Sequence, residues 1–276
     1  MSGAASRDAY VLGSHLEERE RLQRQHAIWR DAMLAGWERA GFGPGQRLLD
    51  LGCGPGLASL ELAKRVGPSG QVLAIDSAPA FLHHLEQQRQ RHHLPQLRSQ
   101  LCDLAQPPAD AWERGGWDGA WCRWLAMFLP RLEPLLDLLR ETLHPGGRLV
   151  LHEYVRWDTF ALHPQGAQLA HFVQRCAQHW RRHGGDPDVA QRLPALLEAR
   201  GFRLLHSASL MACGPGDQPK ARWLQDFLFT YQAQLAAAGC WSAAEQSALV
   251  AELKRAHQHT SLWVTPALVE LIWERQ

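Results

Sequence analysis

The stretch LLDLGCGPG, residues 48–56, decides how this chain folds. An apolar pair runs into Asp50, glycines then stand at the alternating positions Gly52, Gly54 and Gly56, and the following ASLELAKRV has the periodicity of a helix. This pattern predicts a buried strand that ends in a tight glycine turn and leads into a helix N-terminus. Glycine permits backbone dihedrals closed to other residues and lets a ligand approach the main chain. The turn is therefore predicted to hold a ligand.

The residues around the turn restrict what that ligand can be. A nucleoside triphosphate loop needs a lysine after its last glycine, whereas Leu57, Ala58 and Ser59 follow here. The dinucleotide pattern needs two residues before its third glycine, and the even spacing here departs from it. Asp50 would also place a carboxylate close to a pyrophosphate. A ligand with a cationic group at this end fits better.

Two more acids follow the next two predicted strands. Asp76 ends QVLAID, residues 71–76, and Asp103 ends LRSQLCD, residues 97–103. A carboxylate at a strand end can accept hydrogen bonds from the two hydroxyls of a ribose. For Asp76, capping of a helix that begins near Ala78 is the alternative.

Taken together, the glycine turn and the three acids resemble the class I S-adenosylmethionine-dependent methyltransferases, and most of all their small-molecule branch of the ubiquinone and menaquinone biosynthesis type. The resemblance covers roughly residues 40–155 well and the remainder more loosely. It implies an α/β Rossmann-like, doubly wound sheet of seven strands, mostly parallel with the last strand antiparallel. It further implies an N-terminal helical lid (1–40), a cofactor-binding core (41–155), a helical insertion over the acceptor (156–200), and a segment that completes the sheet and carries a further helical insertion (201–276).

The resemblance also implies S-adenosyl-L-methionine as the cofactor and S-adenosyl-L-homocysteine as its product. The Asp103 carboxylate would accept a hydrogen bond from the adenine amino group, and a backbone amide at Leu104 would donate one to the adenine ring. Arg123 would approach the sulfonium through its backbone carbonyl. Because a buried charge beside a sulfonium is costly, we expect the Arg123 guanidinium to point away or to pair with a carboxylate. The full set of predicted cofactor-binding residues is Tyr10, Asp50, Gly52, Cys53, Gly54, Gly56, Asp76, Ser77, Asp103, Leu104 and Arg123.

Candidate acceptor residues lie further along the chain. His152 and Glu153 stand at the expected tip of the fifth strand, where they would orient an acceptor or remove a proton. The aromatic residues predicted to line an acceptor pocket are Trp124, Tyr154, Trp157, Phe160 and Trp180. Packing in the core is the alternative for each of them. Arg21 and Gln25 of the N-terminal helix are candidates to touch the cofactor or acceptor, with a solvated helix face as the alternative.

Composition and charge disfavour several classes of function. Of 276 residues, 46% are hydrophobic and the formal net charge is +1, which by itself gives no field that would attract nucleic acid or an anionic membrane. The six cysteines form no C-x-x-C pair, and adjacent histidines such as His83 and His84 point apart on a helix, so no metal site is expected. No apolar run of about 20 residues is present. We expect a cytoplasmic monomer or homodimer.

The sequence thus predicts a methyltransferase that acts on an O, N or C atom of a small molecule by in-line displacement. The motif D/N-P-P-[FYW] of enzymes that methylate amino groups of nucleobases or glutamine is absent. Three alternatives stay open at this point: an RNA-modifying methyltransferase, a non-methylating enzyme with the same cofactor pocket, and a nicotinamide-dependent oxidoreductase.

Overall fold

A computed structural model describes residues 16–164, 166–258 and 260–276. Tyr10 and the first part of the predicted lid lie outside these ranges. The strands are β1 (Arg47–Leu51), β2 (Gln71–Asp76), β3 (Leu97–Leu101), β4 (Trp117–Arg123), β5 (Leu143–Arg156), β6 (Ala161–His163), β7 (Phe202–Ser209), β8 (Cys213–Pro215), β9 (Leu262–Val264) and β10 (Ala267–Arg275). The helices are α1 (Leu16–Arg39), α2 (Leu57–Val66), α3 (Pro79–Arg91), α4 (Glu133–Thr142), α5 (Ala167–Arg182), α6 (Leu193–Glu198), α7 (Pro219–Ala237) and α8 (Ala243–Gln258).

Seven strands form one sheet in the order β3-β2-β1-β4-β5-β10-β7. The pairs β1–β2, β2–β3, β1–β4 and β4–β5 are parallel, and β10 runs antiparallel to both β5 and β7. The predicted fold class, a mostly parallel seven-stranded sheet with an antiparallel last strand, is confirmed. The strand order reverses between β1 and β4, and the carboxyl ends of strands at such a reversal form a crevice where ligands bind.

Helices surround the sheet and bury the apolar residues of one side of each helix against it. Trp29, Met33 and Trp37 on α1 are fully buried, and four of the five residues of β1 are buried because helices cover both of its faces. α2 starts directly after Gly56, whose φ of 86° lies in the left-handed region. α3 has Pro79 in its first turn, where the missing backbone donor costs nothing. Both helices therefore begin at the edge where the crevice lies.

The C-terminal half differs from the sequence expectation in one respect. β6, β9 and β8 form a separate three-stranded antiparallel sheet, which the sequence did not predict. The last segment, residues 261–276, divides into β9 and β10 around Thr265 and Pro266. Proline lacks the backbone donor that a central strand needs, so it stands between the two strands. Within the described ranges, no helix combines the length and apolarity needed to cross a membrane.

Candidate active site

A cavity of about 320 Å³ opens at the carboxyl ends of β1, β2 and β4, where the strand order reverses. The glycine turn, the ends of β2 and β3, and the end of β4 form one side of it. Aromatic residues of β5, α5 and α7 form the other side. Nine of the predicted cofactor residues line it: Asp50, Gly52, Cys53, Gly54, Asp76, Ser77, Asp103, Leu104 and Arg123.

The glycine turn needs its glycines for two different reasons. Gly52 and Gly54 line the cavity with φ values of 66° and 53°, in the left-handed region that side chains rarely adopt. Gly56 does not belong to the lining: a Cβ added there would collide with Leu85 of α3. Its prediction as a cofactor contact is thus not matched by its position, because it serves the packing of α2 against α3.

Asp50 is buried at the end of β1, with 2% of its surface exposed. Its Oδ2 accepts a hydrogen bond from Ser59 Oγ at 2.6 Å. Burial disfavours the charged form and raises the pKa of this carboxyl to about 6. A cationic ligand group beside Asp50 would recover part of that desolvation cost.

Asp76 supports the glycine turn as well as lining the cavity. Its Oδ2 accepts from the Gly54 N–H at 2.8 Å, and its Oδ1 accepts from the Ala78 N–H at 2.9 Å. The bond from Ala78 is the helix-capping contact that the sequence analysis gave as the alternative to ribose binding by Asp76. A carboxylate has about four acceptor sites, so two bonds leave capacity for a ligand. Burial raises the pKa of this group.

Asp103 and Leu104 lie just beyond β3. The Asp103 carboxylate is exposed and its Oδ1 accepts from the Ala105 N–H at 2.9 Å, while Leu104 is buried. Ser77 lies between them and the glycine turn, also on the cavity wall.

Arg123 at the end of β4 is one of the residues that line the cavity. Its guanidinium contacts the N-terminal helix: Nη2 lies 3.3 Å from Nδ1 of His26. The guanidinium lies over the Trp124 ring, 5.2 Å from its centroid. Burial lowers the pKa of Arg123 to about 10, so the side chain keeps its charge at neutral pH.

Opposite the acids stands an aromatic wall, which we define as Trp124, Tyr154, Trp180, Trp223 and Phe227. The Trp124 ring stacks on the Trp223 ring at 5.4 Å and on the Tyr154 ring at 6.0 Å, with interplanar angles of 12° and 16°. Trp223 Nε1 donates to Gln25 Oε1 at 2.8 Å, which ties α7 to α1. Arg21 and Gln25 also line the cavity. Of these residues, sequence reasoning missed Phe227, whose signal was its position one helical turn after Trp223.

Two predicted acceptor aromatics lie behind the wall rather than in it. Trp157 and Phe160 are buried and are not on the cavity lining. Trp157 packs edge-on against Tyr154 and Trp180, and its Nε1 donates to the backbone oxygen of Val173. Their position matches the alternative given above, packing in the core, because they fill the joint between the sheet and α5.

The expected acid–base pair is also placed differently. His152 and Glu153 are fully buried, and neither lines the cavity. His152 Nε2 lies 2.9 Å from Glu270 Oε2, and Glu153 Oε1 accepts from the backbone N–H groups of Leu125 and Ala126. Their position does not match the predicted contact with an acceptor, because β5 continues to Arg156 and both residues stand within the strand rather than at its tip.

Among the residues that the structure describes, no group of three or more His, Cys, Asp or Glu side chains is arranged to hold a metal ion.

Comparisons with known proteins fit this geometry. The sequence matches a protein family described as a methyltransferase domain over residues 43–199. It is 31% identical over 160 residues to a 2-phytyl-1,4-naphtoquinone methyltransferase of Synechocystis sp., covering 57% of this chain and 64% of that protein. It is 35% identical over 144 residues to a ubiquinone biosynthesis O-methyltransferase of Xanthomonas oryzae, covering 50% and 56%. The chain thus spans less than two thirds of the length of these relatives.

Among solved structures, the fold is similar to geranyl diphosphate C-methyltransferase from Streptomyces coelicolor A3(2), solved with Mg2+, geranyl diphosphate and S-adenosyl-L-homocysteine. The TM-score is 0.59 with 15% sequence identity, covering 98% of this chain and 90% of that one. At that identity the likeness concerns the fold alone. The family match, by contrast, extends over more than half of the chain, and the protein therefore belongs to the methyltransferase-domain family.

Proposed function

We propose that the protein binds S-adenosyl-L-methionine and transfers its methyl group to an O, N or C atom of a small-molecule acceptor. The observation that carries the proposal is the meeting of three strand-end acids and one glycine turn around a single cavity whose opposite side is aromatic. Membership of the methyltransferase-domain family supports it.

The residues present suit the charges of this cofactor. Asp50 supplies a carboxylate near the cationic amino-acid end, and the positive φ of Gly52 and Gly54 leaves the main chain open to close approach. Asp76 would accept from the ribose hydroxyls, and Asp103 with the backbone of Leu104 would read the adenine. Arg123 also lines the cavity.

When bound, the cofactor supplies a methyl group activated by the positive sulfur. The contribution of the chain is alignment and the exclusion of water. The aromatic wall presents flat, rigid faces on which a planar acceptor would stack, and Trp124 holds the wall close to the end of β4. A general base is optional, since an amine, a phenolate or an enolate can lose its proton before it is bound. The quinone-related names of two relatives support a planar acceptor.

We further propose that the protein is cytoplasmic and acts as a monomer or homodimer. Its partner is the small-molecule acceptor, not nucleic acid or a membrane. The six cysteines are all free thiols and four of them are buried, which supports a reducing compartment. The +1 formal charge supports the absence of a nucleic-acid partner.

Isothermal titration with S-adenosylhomocysteine and with NADH tests the cofactor. We expect the first to bind and the second not to bind; the reverse result would contradict the proposal. Asp76→Asn should weaken S-adenosylhomocysteine at least about tenfold, because hydrogen bonds to a charged acceptor contribute about 1.5–3 kcal/mol. Asp110→Asn, which changes an exposed loop carboxylate, is the matched control. Incubation with methyl-labelled cofactor and an extract of the source organism would then reveal the acceptor as a labelled product.

A further inference from the structure

Trp124 has a backbone conformation that bulky residues rarely adopt. Its φ of 54° lies in the left-handed region, which only one other non-glycine residue of the described ranges, His93, occupies. Such a conformation costs free energy and persists only where the surrounding structure holds it. Trp124 follows β4 directly, lines the cavity and is only partly buried. The strained residue thus stands where a ligand in the cavity would meet it.

The two residues that follow Trp124 are held by one buried carboxylate. Glu153 Oε1 accepts from the backbone N–H of Leu125 at 2.9 Å and from that of Ala126 at 2.8 Å. Glu153 is fully buried and does not line the cavity. We call residues 124–126 the β4 turn. The backbone of this turn is therefore held by a side chain that lies behind the cavity wall.

The two neighbours of Glu153 on β5 contact Trp124 itself. The backbone oxygen of His152 accepts from the Trp124 N–H at 3.0 Å. The Tyr154 ring stacks on the Trp124 ring at 6.0 Å, and the Trp223 ring stacks on it at 5.4 Å. The orientation of the Trp124 indole thus depends on how the β4 turn is held against β5.

We propose that Glu153 is a positioning residue for the acceptor: by holding the β4 turn, it keeps the Trp124 indole in the orientation in which a planar acceptor stacks on it. The inference rests on the proposed function for the class of ligand. Because Glu153 does not line the cavity, it acts through Trp124 and not by contact with the ligand. The flat face of Trp124 supplies the stacking surface.

The acids on the cofactor side are held by other contacts. Asp50 accepts from the Ser59 hydroxyl, and Asp76 accepts from two backbone N–H groups outside the β4 turn. Neither carboxylate depends on a hydrogen bond to Glu153. A change at Glu153 should therefore weaken an aromatic ligand more than it weakens S-adenosylhomocysteine.

A second buried carboxylate provides a matched control. Glu252 of α8 accepts from the backbone N–H groups of Gln168 and Leu169, at 3.1 and 2.9 Å, where α5 begins. None of these three residues lines the cavity. Removing the Glu252 carboxylate leaves two backbone donors unpaired, as removing that of Glu153 does, and unpaired buried donors destabilise the fold. The two losses differ in that only the one at Glu153 reaches Trp124.

Titration calorimetry on the full chain tests the role of Glu153. The ligands are S-adenosylhomocysteine, and 2-naphthol added to protein saturated with S-adenosylhomocysteine. The proteins are wild type, Glu153→Leu, Glu153→Gln, Glu252→Leu, Trp124→Leu, and the double variant Glu153→Leu with Trp124→Leu. Glutamine keeps an oxygen that accepts from the two N–H groups, whereas leucine removes it. Melting curves establish that each variant is folded, and Glu153→Ala, which leaves room for water, replaces Glu153→Leu if that variant does not fold.

We expect Glu153→Leu to weaken 2-naphthol about fivefold or more, the size of one aromatic stacking contact, and to weaken S-adenosylhomocysteine less. Glu153→Gln and Glu252→Leu should match wild type. Because Glu153 acts through Trp124, Glu153→Leu should add no further loss to that of Trp124→Leu. Wild-type affinity in Glu153→Leu, an equal loss in Glu252→Leu, or additive losses in the double variant would overturn the inference.

Hydrogen exchange of the peptide 124–129, followed by mass spectrometry, tests the hold on the β4 turn without any ligand. Exchange should be faster in Glu153→Leu than in wild type, Glu153→Gln and Glu252→Leu, and equal exchange in all four overturns the inference. Wild-type protein that binds no S-adenosylhomocysteine contradicts the proposed function, and protein that binds it but not 2-naphthol contradicts the planar acceptor. In both cases the exchange measurement still decides whether Glu153 holds the turn.

Discussion

Asp50 controls the charge of the cavity near pH 6. Burial raises the pKa of its carboxyl from 3.8 to about 6. If the ionised form binds the cationic end of the cofactor, affinity for S-adenosylhomocysteine should be constant above that pH and fall about tenfold per unit below it. Calorimetry between pH 5 and 8 measures this profile. Asp50→Asn should bind more weakly with a flatter profile, and a flat wild-type profile would exclude the contact.

Glu153 should make stability depend on pH. Burial raises its pKa from 4.5 to about 7, so the folded state holds a proton that the unfolded state releases. Its stabilising contribution is complete below pH 4.5 and is lost as pH rises to about 7, at about 1.4 kcal/mol per unit. Urea unfolding at pH 5, 6 and 7 should show a shallower dependence in Glu153→Gln. Glu198→Gln, at an exposed carboxylate, should match wild type, and an unchanged slope in Glu153→Gln would refute this assignment.

At the residue scale, the sequence predicted the positions of Asp50 and Asp76 at strand ends better than those of His152 and Glu153. Asp50 and Asp76 end short strands whose apolar runs stop at the next glycine or helix, so their places could be read from the sequence. His152 and Glu153 lie within a strand of 14 residues, and no glycine or proline marks where its apolar run ends. The pattern gave no sign that β5 continues past them. The position of His26 between Arg123 of β4 and Glu61 of α2 depends on contacts across three elements, which one sequence does not encode locally.

At the scale of elements, the contact between α2 and α3 depends on Gly56. Gly54 and Gly56 both have a positive φ, but only at Gly56 would a Cβ meet Leu85, whereas at Gly54 it would enter open space. Gly54→Ala should cost about 1–2 kcal/mol of unfolding free energy from backbone strain alone. Gly56→Ala should cost about 1–3 kcal/mol more through overpacking.

The double variant Gly56→Ala with Leu85→Ala serves as the control for that comparison. Removing the Leu85 side chain should take away the steric part of the Gly56→Ala effect, so the two changes should be non-additive in urea unfolding. Additive losses would show that the helices do not depend on this contact.

Local elements could be predicted more completely than distant pairings. The observed β1 and β2 coincide with the strands predicted from the sequence, because each is a short apolar run with clear ends. The sheet of β6, β9 and β8 joins three-residue strands that lie about 50–100 residues apart, at 161–163, 213–215 and 262–264. Strands this short have no periodicity to detect. Their pairing follows from how α5, α7 and α8 pack.

At the scale of the molecule, the aromatic wall and the core behind it join the segments that the sequence analysis treated separately: 1–40, 41–155, 156–200 and 201–276. One hydrophobic cluster contains Trp29 of α1, Leu49 of β1, Trp180 of α5, Trp223 of α7 and Trp273 of β10. The wall itself takes residues from β4, β5, α5 and α7. The aromatic side of the cavity therefore exists only when these elements are packed together, even though the side with the glycine turn and the acids is built mainly from residues 48–123.

This continuous cluster predicts that the chain unfolds in one step. Tryptophan fluorescence, which reports on the packed aromatic residues, and far-ultraviolet circular dichroism, which reports on the helices, should give the same melting midpoint. S-adenosylhomocysteine at about 100 times its Kd adds about 2.7 kcal/mol, which should raise both midpoints together by about 5–10 °C. An earlier transition seen by fluorescence alone would mean that the helical insertions separate from the sheet before it unfolds. The cavity would then open from its aromatic side while the glycine turn and its acids stayed in place, and residues 41–155 would form an independent unit.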